Sequence, residues 1–99
     1  MKAIAVALDL GIADNCRSAV SAALQAFRRL DALCNVAGVM LPGRTTEITD
    51  AEWDLTMAVN LEAPFVLAQR LAPAMRAKGW GRIINVSSQQ AIRSFNNSG

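Results

Sequence analysis

The chain alternates short apolar runs with longer segments whose apolar residues recur at helical spacing, and this alternation is what most constrains its fold. The runs lie at residues 3–8, 30–36 and 80–88, and each has the length and residue types of a buried strand. The two longer segments between them have the pattern of amphipathic helices. Strand, helix, strand, helix, strand is the order of two right-handed crossover units. The sequence therefore predicts an α/β fold with a parallel sheet, β-α-β-α-β.

Each predicted helix has a start signal and an apolar stripe. Asp14 or Asn15 is placed to cap the first helix. Its stripe is Cys16, Ala19, Val20, Ala23, Leu24 and Phe27. Thr49 and Glu52 have the spacing of a capping box, which predicts a second helix over residues 50–78. The predicted buried face of this second helix consists of Trp53, Met57, Leu61, Phe65, Ala68, Ala72 and Met75.

Pro64 falls inside the second predicted helix. Because proline has no N–H group, the main-chain carbonyl of Asn60, four residues earlier, loses its helical partner, and the proline ring crowds that carbonyl. We therefore expect a bend that leaves the carbonyl of Asn60 able to hold a water molecule. A packing kink without function explains the proline equally well at this point.

Two serines, Ser87 and Ser88, follow the third apolar run where the predicted strand ends. In open parallel sheets, ligands bind just outside the carboxyl ends of the strands, so a hydroxyl pair there is a candidate site. The other interpretation is that the two serines only begin a turn, since serine is common in turns. The polar residues 89–99, which end in Asn96, Asn97, Ser98 and Gly99, predict a turn or loop.

Composition excludes several classes of function. The 99 residues allow one domain, residues 1–99, and the net charge of +2 without a basic stripe argues against nucleic-acid binding. The chain has no histidine, which excludes an imidazole metal site and a histidine general base. No apolar stretch is long enough to span a membrane. Cys16 and Cys34 lack metal-ligand spacing, so we expect two buried thiols in a reduced, cytoplasmic protein.

Four short motifs follow one another along the chain: LDL at residues 8–10, NVAG at residues 35–38, Asn60 within VNLEAPF, and GRIINVSS ending at Ser88. In this order, and with the expected elements between them, they resemble the short-chain dehydrogenase/reductase family over nearly the whole chain. The resemblance implies a partial doubly wound, Rossmann-like parallel sheet. It also implies hydride transfer between NAD or NADP and a small carbonyl or alcohol substrate.

The resemblance assigns cofactor contacts to five residues. It implies that Asp9 accepts a hydrogen bond from the adenine amino group of the cofactor, with Leu10 beside it; a turn at the end of a strand is the other interpretation of Asp9. Asn35, Ala37 and Gly38 resemble the segment whose small residues let the backbone approach the cofactor. Asn35 is also implied to tie the sheet together.

Two further residues are implied to act on the substrate. Asn60 resembles the active-site asparagine whose main-chain carbonyl holds a water of the proton relay, which agrees with the effect expected of Pro64. Ser88 resembles the catalytic serine that hydrogen-bonds the substrate oxygen, and Ser87 is the weaker candidate. Val36 stands where the family commonly has a second asparagine.

Other parts of the family pattern do not occur in these residues. No glycine-rich phosphate loop precedes Asp9, the chain contains no tyrosine, and the Y-x-x-x-K motif that supplies the general acid/base would fall just beyond Gly99. We therefore expect an internal fragment that does not turn over alone. The alternatives are a non-catalytic module, possible as a homo-oligomer paired through the helix at residues 50–78, and a truncated gene product without selected function.

Stability is expected to be marginal. In the family's sheet the first predicted strand is not a neighbour of the second. We expect it to pair with the second strand, to stay loose, or to be paired by another chain. Because natural domains are stable by only about 5–15 kcal/mol, losing a large part of the family's core predicts a marginal or oligomeric species.

Overall fold

The computed structural model describes residues 1–92. Within them the elements are helix α1 (Ala13–Phe27), strand β1 (Ala32–Asn35), helix α2 (Asp50–Met57), a π-helical segment (Ala58–Glu62), helix α3 (Ala63–Ala77), strand β2 (Arg82–Asn85) and a short 3-10 helix (Gln89–Ala91). Strands β1 and β2 are parallel neighbours. The predicted α/β class and parallel pairing are confirmed. The loop predicted at residues 96–99 lies outside the described residues, and the prediction of one domain over residues 1–99 stays a prediction.

The first apolar run does not form the predicted strand. Residues 1–9 have neither helical nor strand structure and are exposed, including Ile4, Val6 and Leu8. A strand is stabilised by ladder hydrogen bonds to a neighbour and by a buried face. Within residues 1–92, β1 pairs with β2 alone, so the first run has neither. Of the three expectations for this run, the unpaired one describes the structure.

Helix α1 is not capped by Asp14 or Asn15, as the sequence predicted. Ile12 occupies the N-cap position without a side-chain hydrogen bond. The helix starts earlier because a turn precedes it, in which the Ile12 N–H donates to the Asp9 carbonyl at 3.3 Å. Asn15 therefore lies inside the helix, and its Nδ2 also donates to the Asp9 carbonyl, at 3.0 Å. At the other end, Arg28 ends the helix in the left-handed conformation, with φ of 65°.

Both ends of the long helical region are defined by local hydrogen bonds. The predicted capping box is confirmed: Thr49 Oγ1 accepts from the Glu52 N–H at 3.2 Å, and Glu52 Oε2 accepts from the Thr49 N–H at 2.9 Å. At the carboxyl end of α3, the Trp80 N–H donates to the Met75 carbonyl at 3.1 Å, the crossed bond of a Schellman motif. Gly79 takes the left-handed conformation that this motif needs, with φ of 76°.

Helix α1 packs against α3, and both cover one face of the sheet. The buried residues are Cys16, Val20, Val59, Ala63, Val66, Leu71 and Met75. Leu33 of β1 packs against this core, whereas the next residue, Cys34, is exposed on the other side of the strand. The expectation of two buried thiols is therefore wrong for Cys34. The reason is that no element among residues 1–92 covers the second face of the sheet.

The face of the long helix that was predicted to be buried is largely exposed. Trp53, Leu61 and Phe65 have exposed fractions of 58%, 61% and 63%. Of the predicted face, only Met75 is fully in the core. The packed face is instead formed by Val59, Ala63, Val66, Leu71 and Met75. The region from α2 to α3 is apolar on two sides, and the sequence pattern could not tell which side contacts α1.

None of the helices within residues 1–92 has both the length and the apolar character that crossing a bilayer requires.

Candidate functional site at the carboxyl ends of the strands

Two asparagines join the carboxyl ends of the two strands. Asn35 and Asn85 are the last residues of β1 and β2 and lie opposite each other in the parallel register. Asn35 Nδ2 donates to Asn85 Oδ1 at 2.7 Å. This bond agrees with the expectation that Asn35 ties the sheet together. Sequence reasoning missed Asn85, although a polar residue at the end of a β-branched run is a signal for the rim of a sheet.

Asn60 is held by a reciprocal pair of hydrogen bonds to the loop that follows β1. Its Oδ1 accepts from the Val39 N–H at 2.8 Å, and its Nδ2 donates to the Val39 carbonyl at 2.8 Å. A Cβ added at Gly38 would lie 3.4 Å from Asn60 Oδ1, so the loop passes close to this amide. The side chain therefore pairs with the backbone of Val39 through both ends of its amide.

The helix departs from α-helical hydrogen bonding just before Pro64, in the π-helical segment. The Ala63 N–H donates to the carbonyl of Ala58, five residues back, instead of the usual Val59. Pro64 has no N–H to offer the carbonyl of Asn60. The carbonyls of Val59 and Asn60 both lose the donor that a regular α-helix would supply. Such π turns are frequent at functional sites.

Asp9 and Leu10 lie in the turn before α1. Asp9 Oδ1 accepts from the Gly11 N–H at 2.8 Å, which is the turn interpretation given to this residue. Leu10 reaches the strand ends, where it lines a crevice of about 60 Å³ together with Asn35 and Ala37. The structure therefore brings Leu10, Asn35 and Ala37 together, and Pro64 also lines the crevice.

Ser88 lies three residues after Asn85 and begins the 3-10 helix. Its Oγ accepts from the Gln90 N–H at 3.2 Å. A hydroxyl that accepts one hydrogen bond still has its own O–H to donate. Within residues 1–92, Ser88 forms no hydrogen bond with Asn35 or Asn60. Asn35 and Asn60 are held by bonds to Asn85 and Val39, which lie far away in the sequence, whereas Ser88 is held by its neighbour Gln90. Ser87 is exposed beside Ser88.

Cys16 lies next to this rim and does not have the character of a nucleophile. Burial raises the pKa of the Cys16 thiol, and the negative charge of Glu62 raises it further. Its Sγ donates to the Leu10 carbonyl at 3.4 Å. Because the thiolate is the reactive form, a buried thiol with a raised pKa packs the turn instead of attacking a substrate.

Comparison with known proteins decides the family. The sequence profile of the short chain dehydrogenase family matches residues 1–98. The chain belongs to this family. A short-chain dehydrogenase/reductase of Penicillium canescens is 43% identical over 86 residues, which are 85% of this chain and 33% of that protein. The NAD-dependent glycerol dehydrogenase of Listeria innocua is 31% identical over 91 residues, 92% of this chain and 36% of that protein.

Solved structures agree with this membership. A metagenomic short-chain oxidoreductase in complex with NADP matches with a TM-score of 0.86 and 38% identity, covering 94% of this chain and 42% of that one. A short-chain dehydrogenase from Streptomyces avermitilis matches with a TM-score of 0.84 and 28% identity, covering 93% and 34%. The Rossmann-like character of this short-chain dehydrogenase chain is thereby confirmed. The chain spans about a third of the length of the curated relatives it matches.

Proposed function

We propose that this chain supplies part of the active site of an NAD(P)-dependent oxidoreductase that transfers hydride between a nicotinamide and a carbonyl or alcohol carbon of a small substrate. The observation that carries the proposal is the reciprocal pairing of Asn60 with Val39 beside a π-helical segment. This pairing fixes the side-chain amide of Asn60. The main-chain carbonyl of the same residue lacks its usual helical donor, because the residue four positions later, Pro64, has no N–H group. Family membership supports the same chemistry.

The rim fits part of a dinucleotide cofactor. We infer that the backbone of Asn35, Ala37 and Gly38 would lie against it, since the small, exposed Ala37 and Gly38 allow a close approach. Leu10 would form an apolar wall. Asp9 would accept from the adenine amino group through Oδ2, because Oδ1 is taken by Gly11. The crevice of about 60 Å³ holds only a fraction of such a molecule. NAD or NADP, when bound, supplies the hydride chemistry.

The chain's own polar groups have distinct tasks in this proposal. Ser88 donates its O–H to the substrate oxygen, while the Gln90 N–H keeps its Oγ in place. The carbonyl of Asn60 holds a water that passes protons. The sequence has no tyrosine to act as the family's general acid/base, and loss of such a group typically lowers rates by about 10²–10⁴-fold. We therefore propose that the isolated chain does not turn over.

The cofactor proposal is tested by titrating the 99-residue chain with NADH and NADPH and following nicotinamide fluorescence. Without a phosphate loop, we expect saturable but weak binding, with a Kd on the order of 1 mM, which corresponds to about 4 kcal/mol. Asn60→Ala removes both bonds to Val39 and should abolish saturation. Gln69→Ala, an exposed change on α3, is the matched control and should leave the titration unchanged. A linear, non-saturating signal for the unchanged chain would refute the proposal.

A second candidate is a non-catalytic module that pairs through the helical region at residues 50–78. The observation that favours it is the exposed apolar stripe that includes Trp53, Leu61 and Phe65, because apolar surface of this kind marks interaction sites. Sedimentation velocity of the chain and of Phe65→Glu tests it, with Gln69→Glu as the control for added charge. Dimers that Phe65→Glu dissociates, in a chain that does not bind NADPH, would favour this candidate over the first.

We also propose that the protein resides in the cytoplasm. The support is that Cys16 and Cys34 are both free thiols, one buried and one exposed, which is the usual state of cysteine in a reducing compartment. The proposed partners are the small-molecule substrate and a second copy of the chain.

A further inference from the structure

An open cavity of about 520 Å³ lies at the amino end of β2, at the opposite end of that strand from Asn85 and Ser88. The residues that matter to its chemistry are Ala72, Met75, Arg76, Trp80, Arg82 and Ile83. We call it the Trp80 cavity. It is shallow and open to solvent, so a ligand there would be only partly enclosed. Its lining combines two guanidinium groups with an indole and aliphatic side chains.

The aromatic wall of the cavity is held by a cation. The guanidinium of Arg82 lies 4.8 Å from the centre of the Trp80 ring, within the range of a cation–π contact. Arg82 also donates from Nη1 to the Gly81 carbonyl at 2.8 Å, which fixes the side chain close to the backbone. Trp80 itself is half exposed, with an exposed fraction of 50%. The indole is therefore oriented but not covered.

The charge around the cavity is positive and is not neutralised locally. The nearby carboxylate of Asp31 forms ion pairs with Arg29, at 2.7 Å, and with Lys78. Among residues 1–92, neither Arg76 nor Arg82 forms an ion pair. The basic residues are spread along the sequence, but Arg76 and Lys78 at the end of α3 and Arg82 at the start of β2 lie close together in this region. The helix dipole accounts for basic residues at the end of α3, but not for an exposed indole stacked on Arg82.

We propose that the Trp80 cavity binds a small organic anion, an aromatic ring that carries a phosphate or carboxylate group. The ring lies against Trp80 and the apolar lining, and the anionic group pairs with Arg76 and Arg82. Guanidinium groups suit this role because they bind both oxyanions in a bidentate manner. The site does not depend on the proposed oxidoreductase chemistry, since it lies at the other end of the sheet.

The test uses Trp53→Phe, which leaves Trp80 as the only tryptophan of the chain because the sequence contains two. Phenyl phosphate and benzoate are titrated at low salt while the emission of Trp80 is followed. We expect a saturable change with at least one of them, and the tighter of the two identifies the preferred oxyanion. Inorganic phosphate and benzyl alcohol, which each carry half of the proposed ligand, should bind about tenfold more weakly or not at all.

Variants that remove one positive charge test whether Arg76 and Arg82 bind the anionic group. Arg76→Gln and Arg82→Gln should each weaken binding about five- to tenfold, and ³¹P line broadening of phenyl phosphate gives a readout that does not depend on Trp80. Arg70→Gln is the matched control, because it makes the same change on the same helix outside the cavity. Equal weakening by Arg70→Gln would show general attraction to a basic chain and overturn the proposal. So would equal binding of benzyl alcohol, or no saturable binding of either aromatic anion.

Discussion

Among the glycines of residues 1–92, Gly81 is the position where an added methyl group should lower the free energy of unfolding most. A Cβ at Gly81 would lie 2.5 Å from both Cβ and Cγ of Met75 and 2.6 Å from its Sδ. The thioether can move, but the Cβ of Met75 is fixed by the backbone of α3. Gly81→Ala must therefore displace β2 from α3, and overpacking of this kind costs about 1–3 kcal/mol. We expect the upper end of that range, because Met75 is one of the few buried residues of this small core.

The assay is urea unfolding of the chain followed by far-ultraviolet circular dichroism. Gly43→Ala is the control, since its Cβ would lie at an ordinary 3.8 Å from Ile48, and it should change the free energy of unfolding by less than about 0.5 kcal/mol. Adding Met75→Ala to Gly81→Ala should not restore stability, because alanine retains the clashing Cβ. If Gly81→Ala and Gly43→Ala have the same effect, or if Met75→Ala fully rescues Gly81→Ala, the close approach of β2 to α3 is not what requires glycine.

Three further predictions follow from the structure. Thr49→Ala removes the capping box and should destabilise α2 by about 1 kcal/mol, seen as faster amide exchange in residues 50–57, whereas the equally exposed Thr46→Ala should leave exchange unchanged. Hydrogen bonds from Lys78 and then Arg29 lower the pKa of Asp31. Its contribution to stability is therefore present above its ordinary pKa of 3.8 and is lost as the pH falls through the lowered value; Asp31→Asn should flatten the stability-against-pH curve below pH 3.8, and an unchanged slope would contradict this. Finally, exposed Cys34 should react with a thiol reagent many times faster than buried Cys16, and equal rates would mean that α1 does not stay packed.

The features that could be predicted from the sequence are those that depend on residues close together along the chain or on the order of the elements. The capping box at Thr49, the end of the long helix at Gly79 and the parallel pairing of the second and third apolar runs all follow from short-range chemistry or from alternation of elements. The strand at residues 3–8 failed because ladder hydrogen bonds come from a partner that a single run does not specify. The cap at Asp14 failed because the turn at Asp9 starts the helix earlier.

The candidate site was predictable to a similar degree. Asn60 could be found because proline chemistry marks it, and Asn35 through the resemblance to the family; the structure gives each a hydrogen-bonded partner. That they pair with Asn85 and Val39 could not be predicted, since both bonds join segments far apart in the sequence. A pairing of this kind depends on strand register and on the path of a loop, which local patterns do not encode.

The long helical region is apolar on two opposite sides, one that carries Ala63 and one that carries Phe65. Ala63 is buried and Phe65 is 63% exposed, because residues two apart on an α-helix differ in direction by about 200°. A helix that is apolar on opposite sides is expected where both sides are covered, and α1 covers only the side of Ala63. The side of Phe65 is the surface on which a second copy of the chain would pack in the proposed pairing. A second copy packed there would contact the helical region that carries Asn60. Pairing through Phe65 and ordering of the π-helical segment should therefore be coupled. Phe65→Glu should then weaken cofactor binding as well as assembly.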